Sequence, residues 1–193
     1  MEKESSLGFI GKKINEIRKA KGLNMKTVAE GANISMGLLS KIENFRTMPS
    51  LPVLLSISKA LEVNLADLVE DVNTNVVAKT EYLLVRKDQG MIETREDSKG
   101  LVYRSLVSTF VNKINIRANI VTINPNVYRE PLSTNGMELV HVLSGSVYYG
   151  IGNEQIRLEK GDTLYFDGNI PHSVENKNDI EAMMFKIYFI NQE

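Results

Sequence analysis

The sequence predicts an α+β chain of two domains, a helical one followed by a β-rich one. Three observations predict it. Before residue 71, apolar residues recur at helical spacing, as in Ile10, Ile14 and Ile17, then Leu51, Leu54, Leu55, Ile57 and Leu61. Beyond it, short runs rich in β-branched and aromatic residues are separated by turn residues. Between the two lies the short polar stretch Asp71-Val72-Asn73-Thr74-Asn75. The expected boundaries are 7–70 for the helical domain, 71–80 for a linker and 81–193 for the β-rich domain.

Within the helical part, Leu23–Phe45 reads as two short amphipathic helices joined by a tight turn. Asn24 is placed to cap the first and Ser35 the second, each side-chain oxygen accepting from a free backbone N–H. Ala29 is small where two helices must pass closely, and Asn33 tolerates the left-handed backbone of the turn. Val28, Ile34, Leu39 and Ile42 can face inward, which leaves Met36, Gly37, Ser40, Lys41 and Asn44 outward. This is the layout of a helix-turn-helix, whose second helix enters the major groove of duplex DNA.

On these residues, 8–69 resemble the Cro/repressor-like (XRE) DNA-binding domain. Ile10–Leu23 looks like that family's first helix, and Pro49–Leu61 and Asn64–Leu68 look like its last two, so a five-helix helix-turn-helix domain is implied. Pro52 falls early enough in its helix to be tolerated. Met25 stands where the family often has glutamine, and Phe45 stands where glycine usually ends the third helix. Ser35 caps the recognition helix, and Met36 and Gly37 occupy its first exposed turn. Met36 offers an apolar contact to a thymine methyl, and Gly37 allows close approach of the backbone. Ser40 and Lys41 follow one turn on, with Lys41 the candidate for reading a guanine. Asn44 and Arg46 are expected on phosphates; Asn24, Met25 and Lys26 open the preceding helix, whose free N–H groups point at the DNA backbone. Arg18 and Glu43 match positions that pair in the family between the first and third helices, which implies a structural ion pair.

In the β-rich part, strands are expected at 81–87, 100–106, 116–123, 139–143, 147–151, 155–158, 163–166 and 183–190, the pattern of an antiparallel barrel or sandwich. Glu138–Val147 followed by Gly161–Asn176 resembles the two motifs of a cupin, within roughly 105–190. The resemblance implies a jelly-roll β-barrel. Metal-binding cupins add a His-x-His pair shortly before the glutamate. Here Pro131-Leu132-Ser133-Thr134-Asn135 supplies no imidazole or carboxylate, so only Glu138 and His172 match ligand positions. His141, an odd number of residues from Glu138, belongs to the other face of a strand. No metal and no cofactor are therefore expected. A barrel without its metal is a concave site for a small organic effector, with Tyr128, Arg129, Glu138, Tyr148, Tyr165 and His172 as candidates. Glu138 and His172 can equally serve only to tie two strands together.

Composition narrows the function classes. The 193 residues contain no cysteine, which excludes disulfides and thiolate metal sites. Net charge is −1, against a surface coated for nucleic acid, but residues 1–70 carry ten Lys/Arg and eight Asp/Glu, a modest basic excess. The N-terminus has no apolar signal core and no run spans a membrane, so a cytoplasmic protein is expected. The reading that joins these observations is an effector-controlled transcriptional regulator that is not an enzyme. It would be a homodimer, because two recognition helices match a two-fold symmetric operator. Two alternatives remain open: a cupin enzyme, isomerase or oxygenase, with an attached DNA-binding domain, and a barrel that only dimerises.

Overall fold

The computed structural model of the chain describes residues 8–69, 82–87, 89–111 and 114–191; the expected linker at 71–80 lies outside them. The chain divides into two compact units between Leu83 and Leu84. No helix among the described residues is long and apolar enough to cross a membrane.

The first unit holds α1 (Gly8–Ala20), α2 (Met25–Gly31), α3 (Met36–Glu43), α4 (Leu51–Ala60) and α5 (Leu65–Val69). One apolar stripe from each closes a common core that includes Ile14, Val28, Leu39, Ile42, Ile57, Leu61 and Leu68, each essentially without solvent exposure. Asn24 Oδ1 accepts from Thr27 N at 2.8 Å and Ser35 Oγ from Leu38 N at 3.0 Å, so α2 and α3 start on side-chain caps. Pro52 lies in the first turn of α4, where its missing N–H leaves no intrahelical bond unmade.

The helix ends follow one device. After α3 the residue Phe45 takes φ 59°, Phe45 N donates to Ile42 O at 3.1 Å, and Arg46 N donates to Lys41 O at 2.7 Å. This pair of bonds satisfies the last carbonyls and normally uses glycine. Asn33 after α2 and Glu62 after α4 do the same, at φ 54° and 53°. The ring of Phe45 gives it a reason to accept the strain. A Cβ on Gly11 of α1 would lie 3.0 Å from Phe45 Cε1 and 2.2 Å from Ile42 O, so the bare glycine lets α1 seat against the end of α3 under that ring.

The second unit is built from β1 (Met91–Thr94), β2 (Leu101–Val111), β3 (Ile114–Ile123), β4 (Val127–Leu132), β5 (Gly136–Ser144), β6 (Ser146–Ile151), β7 (Glu154–Glu159), β8 (Thr163–Asp167), β9 (His172–Asn176) and β10 (Ala182–Asn191). A six-stranded sheet runs β1-β2-β3-β10-β5-β8 and a four-stranded sheet runs β4-β9-β6-β7, with all pairs antiparallel. Their facing sides share a core that includes Tyr103, Val121, Val140, Val142, Tyr149, Phe166, Val174 and Met184.

Two expectations need correction here. Tyr82–Arg86 form no strand, and Tyr82, Leu83 and Leu84 are exposed. Conversely β1, β4 and β9 were not expected. They are short, and β4 pairs with β9 through a bulge between Arg129 and Leu132 that breaks the alternation by which strands are recognised.

Candidate functional site

The structure offers two places of interest, one in each unit. In the helical unit, α2 and α3 present their N-terminal ends. Asn24, Lys26, Ser35, Met36 and Gly37 are exposed, Met36 to 53% although it is a large apolar side chain. Lys26 reaches Glu30 at 3.9 Å, a solvent-exposed pair of small energetic weight. Ser40 and Lys41 follow along α3, half-buried at their bases. The remaining candidates are placed differently. Asn44, expected outward, is buried at the end of α3, and its amide donates to Ser40 O at 2.9 Å. Arg46, expected on a phosphate, is buried to 5% exposure, because the left-handed residue before it turns the chain back onto the domain. Met25 packs half-buried against the helical core.

Arg18 and Glu43 form a buried, two-pronged pair. Arg18 Nε donates to Glu43 Oε1 at 2.7 Å and Nη2 to Oε2 at 2.8 Å, while Nη1 donates to Leu23 O at 3.2 Å. Asn15 Nδ2 adds a bond to Glu43 Oε2 at 2.6 Å. Fork-to-fork geometry of this kind fixes orientation, so α1 sets the angle at which α3 presents its outer turn.

In the β unit, Glu138, His172 and Arg129 point between the two sheets, and the structure brings them together. Glu138 Oε2 lies 3.4 Å from His172 Nε2 and 2.8 Å from Lys186 Nζ. Lys186 also donates to Tyr149 Oη at 3.3 Å, and His172 Nδ1 donates to Ile170 O at 2.9 Å. Arg129 Nη1 donates to His172 O at 2.9 Å. Burial alone would push the Glu138 carboxyl upward, but the Lys186 ammonium, with help from His172, holds it well below the usual carboxylate range. Lys186 is likewise opposed by burial and raised by Glu138. For His172 burial wins over Glu138, and the imidazole is held below its ordinary value.

The three tyrosines proposed beside them face elsewhere. Tyr128 and Tyr165 are exposed, to 51% and 59%, and Tyr148 lies on the outer face of β6 with Lys177 Nζ 4.5 Å from its ring centroid. Alternation explains it: on β6 the inward residues are Val147 and Tyr149, so Tyr149 and not Tyr148 reaches the interior. His141 pairs with Thr163 Oγ1 at 2.9 Å away from Glu138.

Sequence reasoning missed Lys186, Tyr149 and Asn119. Lys186 sits on β10 among Ala182, Met184, Tyr188 and Ile190, all inward, while Met183, Phe185, Ile187 and Phe189 form the other face. Both faces are apolar, so hydrophobic period could not say which one held the lysine. The signal available was the lone charge itself, inside a ten-residue apolar run.

The donor set does not suit a transition metal. Only Glu138 and His172 could ligate, and an ammonium already neutralises the carboxylate; among the described residues no three His, Cys, Asp or Glu side chains gather.

A second polar group lies along the same interior. Glu93 Oε1 is 3.5 Å from Arg117 Nη2, and Glu93 Oε2 is 3.7 Å from Arg95 Nη2. The Arg95 guanidinium stacks 3.9 Å over the Tyr103 ring. Burial beside Arg95 lowers Arg117 to about 10, even though Glu93 opposes it.

The family model described as "Helix-turn-helix" (HTH_3) matches residues 14–68, and "Cupin domain" (Cupin_2) matches residues 119–188. The chain is 38% identical over 60 residues to the HTH-type transcriptional regulator DdrOP3 of Deinococcus deserti, covering 31% of this chain and 46% of that one. The chain spans about half the length of the curated relatives it matches. Among solved structures, an HTH_3 family transcriptional regulator from Vibrio cholerae aligns at TM-score 0.50 and 16% identity, over 97% of this chain and 98% of that one. FeII HppE in complex with substrate aligns at TM-score 0.50 and 16% identity, over 96% and 100%. At such identities these likenesses concern the fold alone.

Proposed function

We propose, from the premise that one chain carries a helix-turn-helix domain and a cupin domain, a sequence-specific DNA-binding transcriptional regulator controlled by a small organic effector. The observation that carries it is the capped α2–turn–α3 unit, with Ser35, Met36 and Gly37 exposed at the start of α3 and locked in orientation by Arg18 and Glu43. An apolar side chain half in water at the start of this helix can meet a thymine methyl on a base edge. In this reading residues 7–70 are the DNA-binding domain, 71–80 the linker and 81–193 the sensor, its two sheets forming a jelly-roll barrel. The protein acts in the cytoplasm as a homodimer on a two-fold symmetric operator. Its dimer contact is the outer face of the six-stranded sheet, where Ile116, Phe189 and Met137, then Ile187 and Leu139, align across β3, β10 and β5 and remain only half-buried.

The test is selection of a random duplex DNA pool on the full chain, followed by sequencing. A two-fold symmetric consensus is expected. Recovery of DNA without any consensus overturns the reading.

The fold shared with HppE keeps a second reading in view, an enzymatic cupin. The regulator reading is supported by Lys186, whose ammonium lies 2.8 Å from Glu138 Oε2 and neutralises the carboxylate that a general base would need.

A further inference from the structure

We infer that the interior of the cupin unit binds a small hydroxycarboxylate, its carboxylate held by Arg129, Lys186 and Asn119 and its hydroxyl donating to Glu138. The inference rests on the effector reading above and names the chemistry of the effector.

The first argument is charge. Around His172 the structure gathers two cations, Lys186 and Arg129, and one carboxylate, Glu138, all at most 4% exposed. Arg129 spends Nη1 on the carbonyls of Glu130 and His172 and has no carboxylate partner among the described residues. It lies near enough to act electrostatically on Lys186, His172 and Tyr149. A neutral His172 leaves the excess at one positive charge. A buried charge without a counter-charge is costly, and one anion removes the cost.

The second argument is hydrogen bonding. Asn119 of β3 is fully buried directly opposite Lys186 of β10, and neither its Oδ1 nor its Nδ2 has a hydrogen-bond partner. Arg129 Nε and Glu138 Oε1 are in the same condition. Buried polar atoms are nearly always paired, so we read these four, on residues that line the interior with Lys186, as groups kept for a ligand. Their types are informative. Arg129 Nε and Asn119 Nδ2 are donors that suit a carboxylate, and Lys186 supplies the charge. Glu138 Oε1 and Asn119 Oδ1 are acceptors and require a donor on the ligand. An anion that also carries a hydroxyl meets both demands. A zwitterionic amino acid supplies the donor but brings no net charge, and a diol supplies the donor but no anion.

The experiment uses the full chain and four probes of one size: lactate, propionate, propane-1,2-diol and alanine, at matched ionic strength against sodium chloride. Lactate is expected to raise the Tm of the β unit most, propionate less, and diol and alanine not at all. Arg129→Gln should abolish the lactate response. Asn119→Asp places a carboxylate opposite Lys186, so it should raise the Tm without probe and erase the response. It therefore gives a positive readout even if Arg129→Gln does not fold. A diol or alanine response as large as that of lactate overturns the inference, as does no response to any probe. So does an Asn119→Asp protein that is less stable and still responds to lactate. Operator affinity separates the two readings. If lactate stabilises the protein but leaves operator affinity unchanged, the site stands and the effector role falls. If diol or alanine alone stabilises it and changes operator affinity, the effector role stands and the hydroxycarboxylate falls.

Discussion

The ring of Phe45 lies 3.0 Å from the point where a Cβ on Gly11 would sit, and that point is only 2.2 Å from Ile42 O. The recognition helix therefore ends on a left-handed phenylalanine whose ring covers a glycine of another helix. Gly11→Ala forces α1 away from α3 and should destabilise the helical unit by about 1–3 kcal/mol, as over-packing does. Urea unfolding followed by far-ultraviolet circular dichroism checks it. An unchanged midpoint would show that α1 can shift freely.

Arg18→Met removes the guanidinium from buried Glu43 and leaves it the bond from Asn15. A loss of about 3–5 kcal/mol is expected, the cost of breaking one side of a buried pair. Thermal melting should register it while the ratio of specific to non-specific DNA affinity of the folded protein stays the same. Full stability with lost specificity would instead make Arg18 a DNA contact.

Lys41→Ala addresses specificity itself. If Lys41 reads a base, as the proposed function has it, its removal should cost about 1–3 kcal/mol at one operator position and relax the preference there. Anisotropy titrations against single-position operator variants measure this. A uniform loss over all variants would mark Lys41 as a phosphate contact.

Glu62 is exposed and adopts φ 53° after α4. Glu62→Gly relieves a strained backbone at a site where the side chain is exposed, and should stabilise the unit by about 0.5–1 kcal/mol. The same substitution at Phe45 should fail to stabilise, because there the ring is lost. Parallel melts of the two variants decide whether strain or packing governs these helix ends.

How much of this was legible in the sequence depends on what each residue's neighbours demanded. Asn24 and Ser35 were readable as caps because a cap is a local bond, three residues long. The inward Glu138 and His172 were readable from the spacing of their motifs. Tyr148 and Tyr165 were misplaced because the side of a strand depends on register, and one residue of slip exchanges Tyr148 for Tyr149. Asn44 and Arg46 were misplaced because their burial follows from the left-handed turn at Phe45, in which a phenylalanine does what glycine usually does. Lys186 was invisible for a different reason: its partner Glu138 is far away in sequence, on β5, five strands earlier in the chain though next to β10 in the sheet.

The buried imidazole makes stability depend on pH. The His172 value is lowered on folding, chiefly by burial, so the unfolded chain takes up a proton that the folded one refuses. The contribution is present above the unfolded value near 6.5 and is lost as pH falls below it. The β unit should weaken as pH falls below about 6.5, with a slope of at most about 1.4 kcal/mol per pH unit from this group. His172→Gln should flatten that slope in denaturant titrations run at each pH. A wild-type slope that survives the substitution would assign the proton to another group.

The position of β10 has a consequence for synthesis. It is made after the other nine described strands, yet it lies inside the six-stranded sheet, bonded to β3 on one side and β5 on the other. While the ribosome is still adding residues before 182, β3 and β5 have no strand between them, and Glu138 has not met its ammonium. The helical unit, whose contacts lie within its own first seventy residues or so, has no such dependence and can form early. A nascent chain stalled short of β10 would carry a finished helical unit and an open, sticky sheet, so quality control acting on that intermediate would act before the β unit is complete.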